Sequence, residues 1–315
     1  MRGRVHVANS IFGALIGISM SFIQAFEVMF PIVIIIALGY AVGKSKLAID
    51  AQSLGSLVIL LCTPSLVFSK LTTATIETSV LLEVSLAAAA SILLAMVLGA
   101  IALRLLNLSL RTFLPCVMFP NCGNTGLPIM ILAFGDAGAA LGVAFFFVVA
   151  LLQFTVGISI SSGQYHPKDL LKQPILYSVG FVLFFTQTGI EVPTVVAKTT
   201  DILGGMMVPA MLLLLGSSLA TLKVSDLKPA IAVAASRLII GLVSGATIIF
   251  AFDLSGLSAI TVFMMSAMPV TVVSYVFAVK YRPDPQQVAG GVVLSTVLAF
   301  ITLPLLFGGA LAIFN

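Results

Sequence analysis

Nine consecutive residues, Pro120-Asn121-Cys122-Gly123-Asn124-Thr125-Gly126-Leu127-Pro128, set two prolines, two glycines and two asparagines inside an apolar run. An asparagine amide can donate two hydrogen bonds to a carboxylate, and glycine lets a ligand approach the backbone. A second run holds Ser266, Pro269, Thr271, Ser274 and Tyr275. Proline removes a helix hydrogen bond and clashes with the preceding turn, so both runs predict opened backbone. The half-helix starts beyond each break would offer free N–H groups and partial positive charge, the chemistry that holds carboxylates. The expected substrate-binding residues are Asn121, Gly123, Asn124, Thr125, Gly126 and Pro128 in the first run, and Ser266, Pro269, Thr271 and Ser274 in the second. The competing reading is that these prolines kink packed helices whose Asn and Ser bond across helices. Arg237, eight residues past Pro229, either snorkels to an interface or attracts an anionic substrate.

Other chemistries are poorly supported. No Asp or Glu falls mid-run, which argues against a carboxylate proton relay or a multi-carboxylate sodium site. The two histidines form neither HExxH nor a Ser-His-Asp arrangement, so an enzyme is not expected and no residue is assigned a catalytic role. Cys62, Cys116 and Cys122 sit in apolar runs without a CxxC or His partner, so neither a disulfide framework nor a metal site is expected. Gly39 to Ser45 imitates a phosphate loop but has three residues between its glycines where the motif needs four. Gly241 and Gly245 form a GxxxG, a common packing motif. No cofactor is expected, and a coupling proton or sodium ion is left open.

The elements that position these residues follow from composition. Of 315 residues, 60% are hydrophobic and 8% are charged, with a mean hydropathy of +1.22. Soluble domains are about 45–50% apolar and about 25% charged, so a soluble globule, a disordered chain and a secreted disulfide scaffold are excluded. One bilayer span takes ~20 residues. Apolar runs fall at 22–43, 54–70, 80–103, 112–133 and 137–162, then at 174–190, 199–221, 229–251, 257–280 and 286–314. The expected fold is an all-α polytopic membrane protein of ten transmembrane helices. Asn121 lies ten residues past Arg111, or ~15 Å into a ~30 Å hydrocarbon core, so the first break falls at the midplane.

Basic residues set the orientation. Alternate loops hold Lys44, Lys46, Arg104, Arg111, Lys168, Lys172, Lys223, Lys228, Lys280 and Arg282, against Lys70, Lys198, Arg2 and Arg4 opposite. By the positive-inside rule the first set is cytoplasmic and both termini face outward. Basic residues spread singly between apolar runs serve topology, so nucleic-acid binding is not expected from the net charge of +4.

Prolines recur: Pro31 and Pro174, Pro64 and Pro209, Pro128 and Pro269 are 143, 145 and 141 residues apart. Five spans per half make the second half inverted, a pattern of secondary transporters. The expected organisation is an N-terminal extension over 1–21, a five-helix repeat over 22–162, a cytoplasmic linker over 163–173 and an inverted repeat over 174–315. The extension is read as a mis-assigned start, with Met20 able to begin the chain, or as a targeting segment.

The run from Pro31 to Tyr40, the Pro64 segment, Asn121 to Pro128, Val208-Pro209-Ala210 with Leu215 to Leu219, and Leu294-Ser295-Thr296 with Leu303-Pro304 together resemble the auxin efflux carrier family. The resemblance runs from about 22 to 310 and includes the bacterial malonate and malate permease-like members. It implies two inverted five-helix repeats whose helices 4 and 9 cross at their prolines, with a scaffold part and a moving part as in bile-acid symporters. Members related to the plant carriers place an asparagine at each crossover. Here the second crossover has Ser266 and Thr271 instead.

The function expected is a secondary transporter of a small organic anion in the cell inner membrane, acting by alternating access. Its partners would be that anion and the bilayer, with a homodimer left open. The alternatives are a non-transporting sensor or assembly subunit, or an anion channel.

Overall fold

A computed structural model describes residues 26–45, 51–164, 173–222, 226–282 and 285–314. The N-terminal extension lies outside the described residues, with Arg2, Arg4 and Met20. So do Lys46, Lys223 and most of the central linker, including His166, Lys168 and Lys172.

All elements among the described residues are helical apart from one isolated β-bridge. In chain order they are α1 (Phe26–Lys44), α2 (Ser53–Thr72), α3 (Thr78–Leu105), α4 (Leu110–Met118), α5 (Cys122–Ser162), α6 (Pro174–Thr188), α7 (Thr194–Thr221), α8 (Leu227–Ala251), α9 (Gly256–Ser266), α10 (Val272–Tyr281) and α11 (Gln286–Phe314). Seven of these, α1, α2, α3, α5, α7, α8 and α11, are long and apolar enough to cross a membrane. α6, α9 and α10 are shorter apolar helices, and α4 has nine residues.

Helices that are apolar on every face belong in a core or a bilayer. In α3, Ala87, Ala88, Ile92 and Ala95 are buried, while Leu82, Leu86, Leu93, Val97 and Ile101 are exposed. The outward face carries side chains as apolar as the inward one and larger, the reverse of a soluble helix.

α5 is two helices fused at a bend. Forty-one helical residues would extend ~60 Å, twice a hydrocarbon core. Gly135 breaks the run with φ 58° and ψ −138°, a conformation that glycine adopts without cost. Beyond it Gly138 lies against the Met130 carbonyl and Gly142 against Leu127 and Met130. Residues eight apart in a straight helix would be separated by ~12 Å, so the chain reverses at Gly135 into a hairpin with two limbs.

The helices fall into two groups. α2 packs on α6 and α7, and α1 on α7; α3, α4, α5, α8, α9, α10 and α11 pack on one another. The first group depends on glycines. A Cβ on Gly39 would collide with the Leu213 backbone, one on Gly216 with Ile36 and Tyr40 backbone atoms, and one on Gly43 with Ser217 and Ala220. The run that imitates a phosphate loop is thus the surface by which α1 meets α7.

At one end of the molecule Lys70 of α2 reaches Asp136 at the hairpin bend (3.0 Å) and Asp201 of α7 (3.7 Å). Ser69 also donates to Asp201 at 3.2 Å. The carboxylates are largely exposed, so this closure contributes at most about 1 kcal/mol.

The glycine contact yields a prediction. Gly216→Leu drives a side chain into the α1 backbone and separates α1 from α7. Thermal unfolding in detergent should show a loss of roughly 1–3 kcal/mol, whereas Gly205→Leu, which meets open space, should change little.

Candidate binding site at the crossed helix breaks

Both proline runs open where expected. α4 ends at Met118, and Phe119 turns extended with φ −97° and ψ 116°, the conformation that a following proline enforces. The hairpin's first limb restarts at Cys122 with a π-helical turn over Cys122–Gly126. The second break separates α9 from α10, with Pro269 between them. At nine and eleven residues, α4 and α9 are ~13 and ~16 Å long, about half a hydrocarbon core.

The two breaks pair with each other. Pro120 and Val270 form an antiparallel bridge, and the Asn121 N–H donates to the Pro269 carbonyl at 2.8 Å. The Val270 N–H donates to the Ser295 hydroxyl of α11 at 3.0 Å. Within the first break, the Asn121 side-chain oxygen accepts from the Asn124 N–H at 3.3 Å, capping the restarted helix. At the second, Thr271 caps α10 by accepting from the Val273 N–H at 3.4 Å. Ser274 ties α10 back to α4 through the Pro115 carbonyl at 3.2 Å.

Arg237 lies behind this crossing. Its side chain on α8 is 1% exposed. Nη1 donates to the Val117 carbonyl at 2.5 Å, Nε to the Met268 carbonyl at 3.2 Å, and Nη2 to the Ser266 carbonyl. The guanidinium therefore holds the C-terminal ends of both α4 and α9. It neither reaches an interface nor lines the cavity described below. Gly241 makes room for it, since a Cβ there would meet Ser266 and the guanidinium, and Gly245 packs on the Ser266 side chain. The GxxxG motif serves this one junction.

On the other side of the crossing is a cavity of about 680 Å³ between the two helix groups. It reaches from the breaks to Gln173, Leu222 and Val279, at the opposite end of the molecule from Lys70, Asp136 and Asp201. Of the residues expected from sequence, Asn121, Gly123, Asn124 and Thr271 line it. Thr125, Gly126, Pro128, Ser266, Pro269 and Ser274 do not; of these, Gly126, Ser266, Pro269 and Ser274 make contacts at the crossing. Gly126 lies against Met265 and Met268, and the Pro269 carbonyl accepts the bridging bond.

Gln153 is the most telling of the lining residues that sequence reasoning missed. It is 5% exposed, sits on a π-helical turn of the hairpin's second limb and faces the same cavity. A lone amide within the apolar run 137–162 was the available signal. The side-chain nitrogens of both Asn121 and Gln153 are buried without a hydrogen-bond partner. Ser56, Thr63, Ser218 and Tyr275 add hydroxyls, Phe146 and Phe154 add aromatic wall, and no charged side chain lines the cavity among the described residues. No cluster of three His, Cys, Asp or Glu exists among the described residues either.

The arrangement sorts helix ends by sign. Negative C-termini of α4 and α9 face Arg237, while positive N-termini of α5 and α10 face the cavity. Each end carries about half an elementary charge, so one guanidinium offsets two C-termini, and the cavity meets about one positive charge spread over N–H groups.

Sequence comparison gives two findings. The profile of the family described as membrane transport protein matches residues 24–168 and 160–307. An uncharacterized transporter of Methanocaldococcus jannaschii is 25% identical over 224 residues, covering 68% of this chain and 72% of that one.

Ser295→Ala should test the architecture of the crossing. It leaves the Val270 N–H buried without an acceptor, which costs about 1–3 kcal/mol. Thermal unfolding in detergent should show that loss, and a midpoint equal to the unsubstituted protein's would contradict the assigned bond.

Proposed function

We infer from one established point, that the chain belongs to the membrane transport protein family, that it is a secondary active transporter moving a small organic anion. The apolar helices together with the family make it a multi-pass membrane protein. The observation that carries the substrate class is the pair of buried, unpartnered amide nitrogens, Asn121 Nδ2 and Gln153 Nε2, facing one cavity whose floor is two helix N-termini. Such a site accepts an oxyanion. Two amides and two helix ends, with no lining cation, suit a single carboxylate better than two. A monocarboxylate is therefore favoured over the malonate- and malate-like dicarboxylates that the family resemblance implies.

The finer architecture in this reading is ten spans in two inverted repeats. α4 with the hairpin's first limb makes the fourth span, the second limb the fifth, α6 the sixth, and α9 with α10 the ninth. Antiparallel pairing of the breaks and prolines recurring near 143 residues support it. With the basic loops cytoplasmic, both termini lie outside the cell membrane and the cavity opens inward. Lys70 with Asp136 and Asp201 closes the outer end. Alternating access would then be a movement of the α3–α5 and α8–α11 group against α1, α2, α6 and α7, the cavity lying between them.

Counterflow in proteoliposomes over a panel of labelled mono- and dicarboxylates tests the reading. Saturable exchange of at least one acid supports it, and no exchange across the panel overturns it. Asn121→Asp keeps the acceptor for the Asn124 N–H but replaces the free donor with a negative charge. The protein should remain folded while exchange falls roughly ten- to hundredfold, the value of hydrogen bonds to a charged group. Gln153→Leu should lose about tenfold by the same measure.

A further inference from the structure

Lys70 has two carboxylates within reach, and they belong to different helix groups. Asp136 stands at the bend of the α5 hairpin, 3.0 Å from the ammonium, and Asp201 stands on α7 at 3.7 Å. Between described residues these are the ion pairs present, and both use Lys70. Asp201 is fixed to the same group as Lys70. Ser69 donates to its carboxylate at 3.2 Å, and Gly204, one turn along α7, lies against the backbone of Leu66, one turn before Lys70. Asp136 is fixed to the other group. Phe134, two residues before it, packs its ring on Phe307 of α11 at 5.7 Å. Lys70–Asp136 thus joins the two groups at the end away from the cavity mouth, while Lys70–Asp201 joins two helices of one group.

We propose that Lys70 is a latch that changes partners: it holds Asp136 while the cavity is open at its inner end, and keeps Asp201 alone when the outer end parts. The inference rests on the transporter reading for the motion that it governs. A Lys70 side chain only 21% exposed needs a partner in both states, and Asp201 supplies it without crossing the gap. Because Asp136 is 84% and Asp201 65% exposed, the latch is weak, shifting the ratio of the two states by up to about fivefold. A weak latch biases the equilibrium without freezing it. The two aspartates therefore act in opposite directions, although both pair with one lysine.

The test uses the full chain in inside-out vesicles, which present the cytoplasmic face, and does not require a known substrate. The three native cysteines are buried, so Ser218→Cys, on the cavity wall, serves as the reporter for a membrane-impermeant maleimide. Asp136→Asn removes a pair that only the inner-open state makes, and should slow modification as that state is depopulated by up to about fivefold. Asp201→Asn removes the partner that the outer-open state relies on, and should speed it. The charge swap Lys70→Asp with Asp136→Lys rebuilds the pair across the groups and should be at least as fast as the reporter alone. A rate unchanged or raised by Asp136→Asn overturns the latch, as does a swap as slow as Asp136→Asn. A rate that Asp201→Asn does not raise overturns the change of partners. Opposite shifts with no exchange of any acid in proteoliposomes refute the transporter alone, and exchange without these shifts refutes the latch alone.

Discussion

A helix broken inside hydrocarbon leaves backbone groups that no water can satisfy, and each unpaired group costs several kcal/mol. That constraint governs this molecule. Two breaks satisfy each other through one bridge and one N–H to carbonyl bond. The remainder falls to Ser295, Asn121, Thr271, Ser274 and above all Arg237. A lone buried charge would be among the most costly features in such an interior. Placed between two helix C-termini, it becomes the partner that those ends lack. The cavity depends on the same placement, because the helix ends left to face it are the positive N-termini.

Much of the architecture was legible in the chain. Prolines and glycines at 120–128 and around 269 marked the breaks because proline acts locally, on its own hydrogen bond and the preceding residue. The apolar runs marked the helices for the same reason: periodicity and length are local properties. Seven helices are individually long enough to span. The prolines cut two runs into short halves, and the second half of the first of these continues through the bend at Gly135 into the next run.

Less of the site was legible. Asn121, Asn124 and Thr271 reach the cavity, but Ser266, Thr125 and Ser274, equally polar and close in sequence, are buried away from it. Which side of a broken helix faces a cavity is set by the partner element, and spacing along one helix does not encode it. Arg237 makes the point most clearly. Its acceptors lie 29, 31 and 120 residues away, so neither snorkelling nor substrate attraction could be told from capping by its own helix. Gly39, Gly43, Gly241 and Gly245 were recognisable as small residues, while the backbones they admit became known only from the packed structure.

The bridge between Pro120 and Val270 stays a single bridge for a chemical reason. Pro120 and Pro269 both lack an N–H, so the pairing cannot lengthen on either strand into a ladder. A ladder of several bonds would lock the two extended segments in register and stiffen the angle between the half-helices they join. One bridge fixes a point, and the angle is set instead by Arg237 between α4 and α9 and by Ser274 between α10 and α4. The crossing is therefore held by individual side chains and not by a sheet, so its links can be removed one substitution at a time.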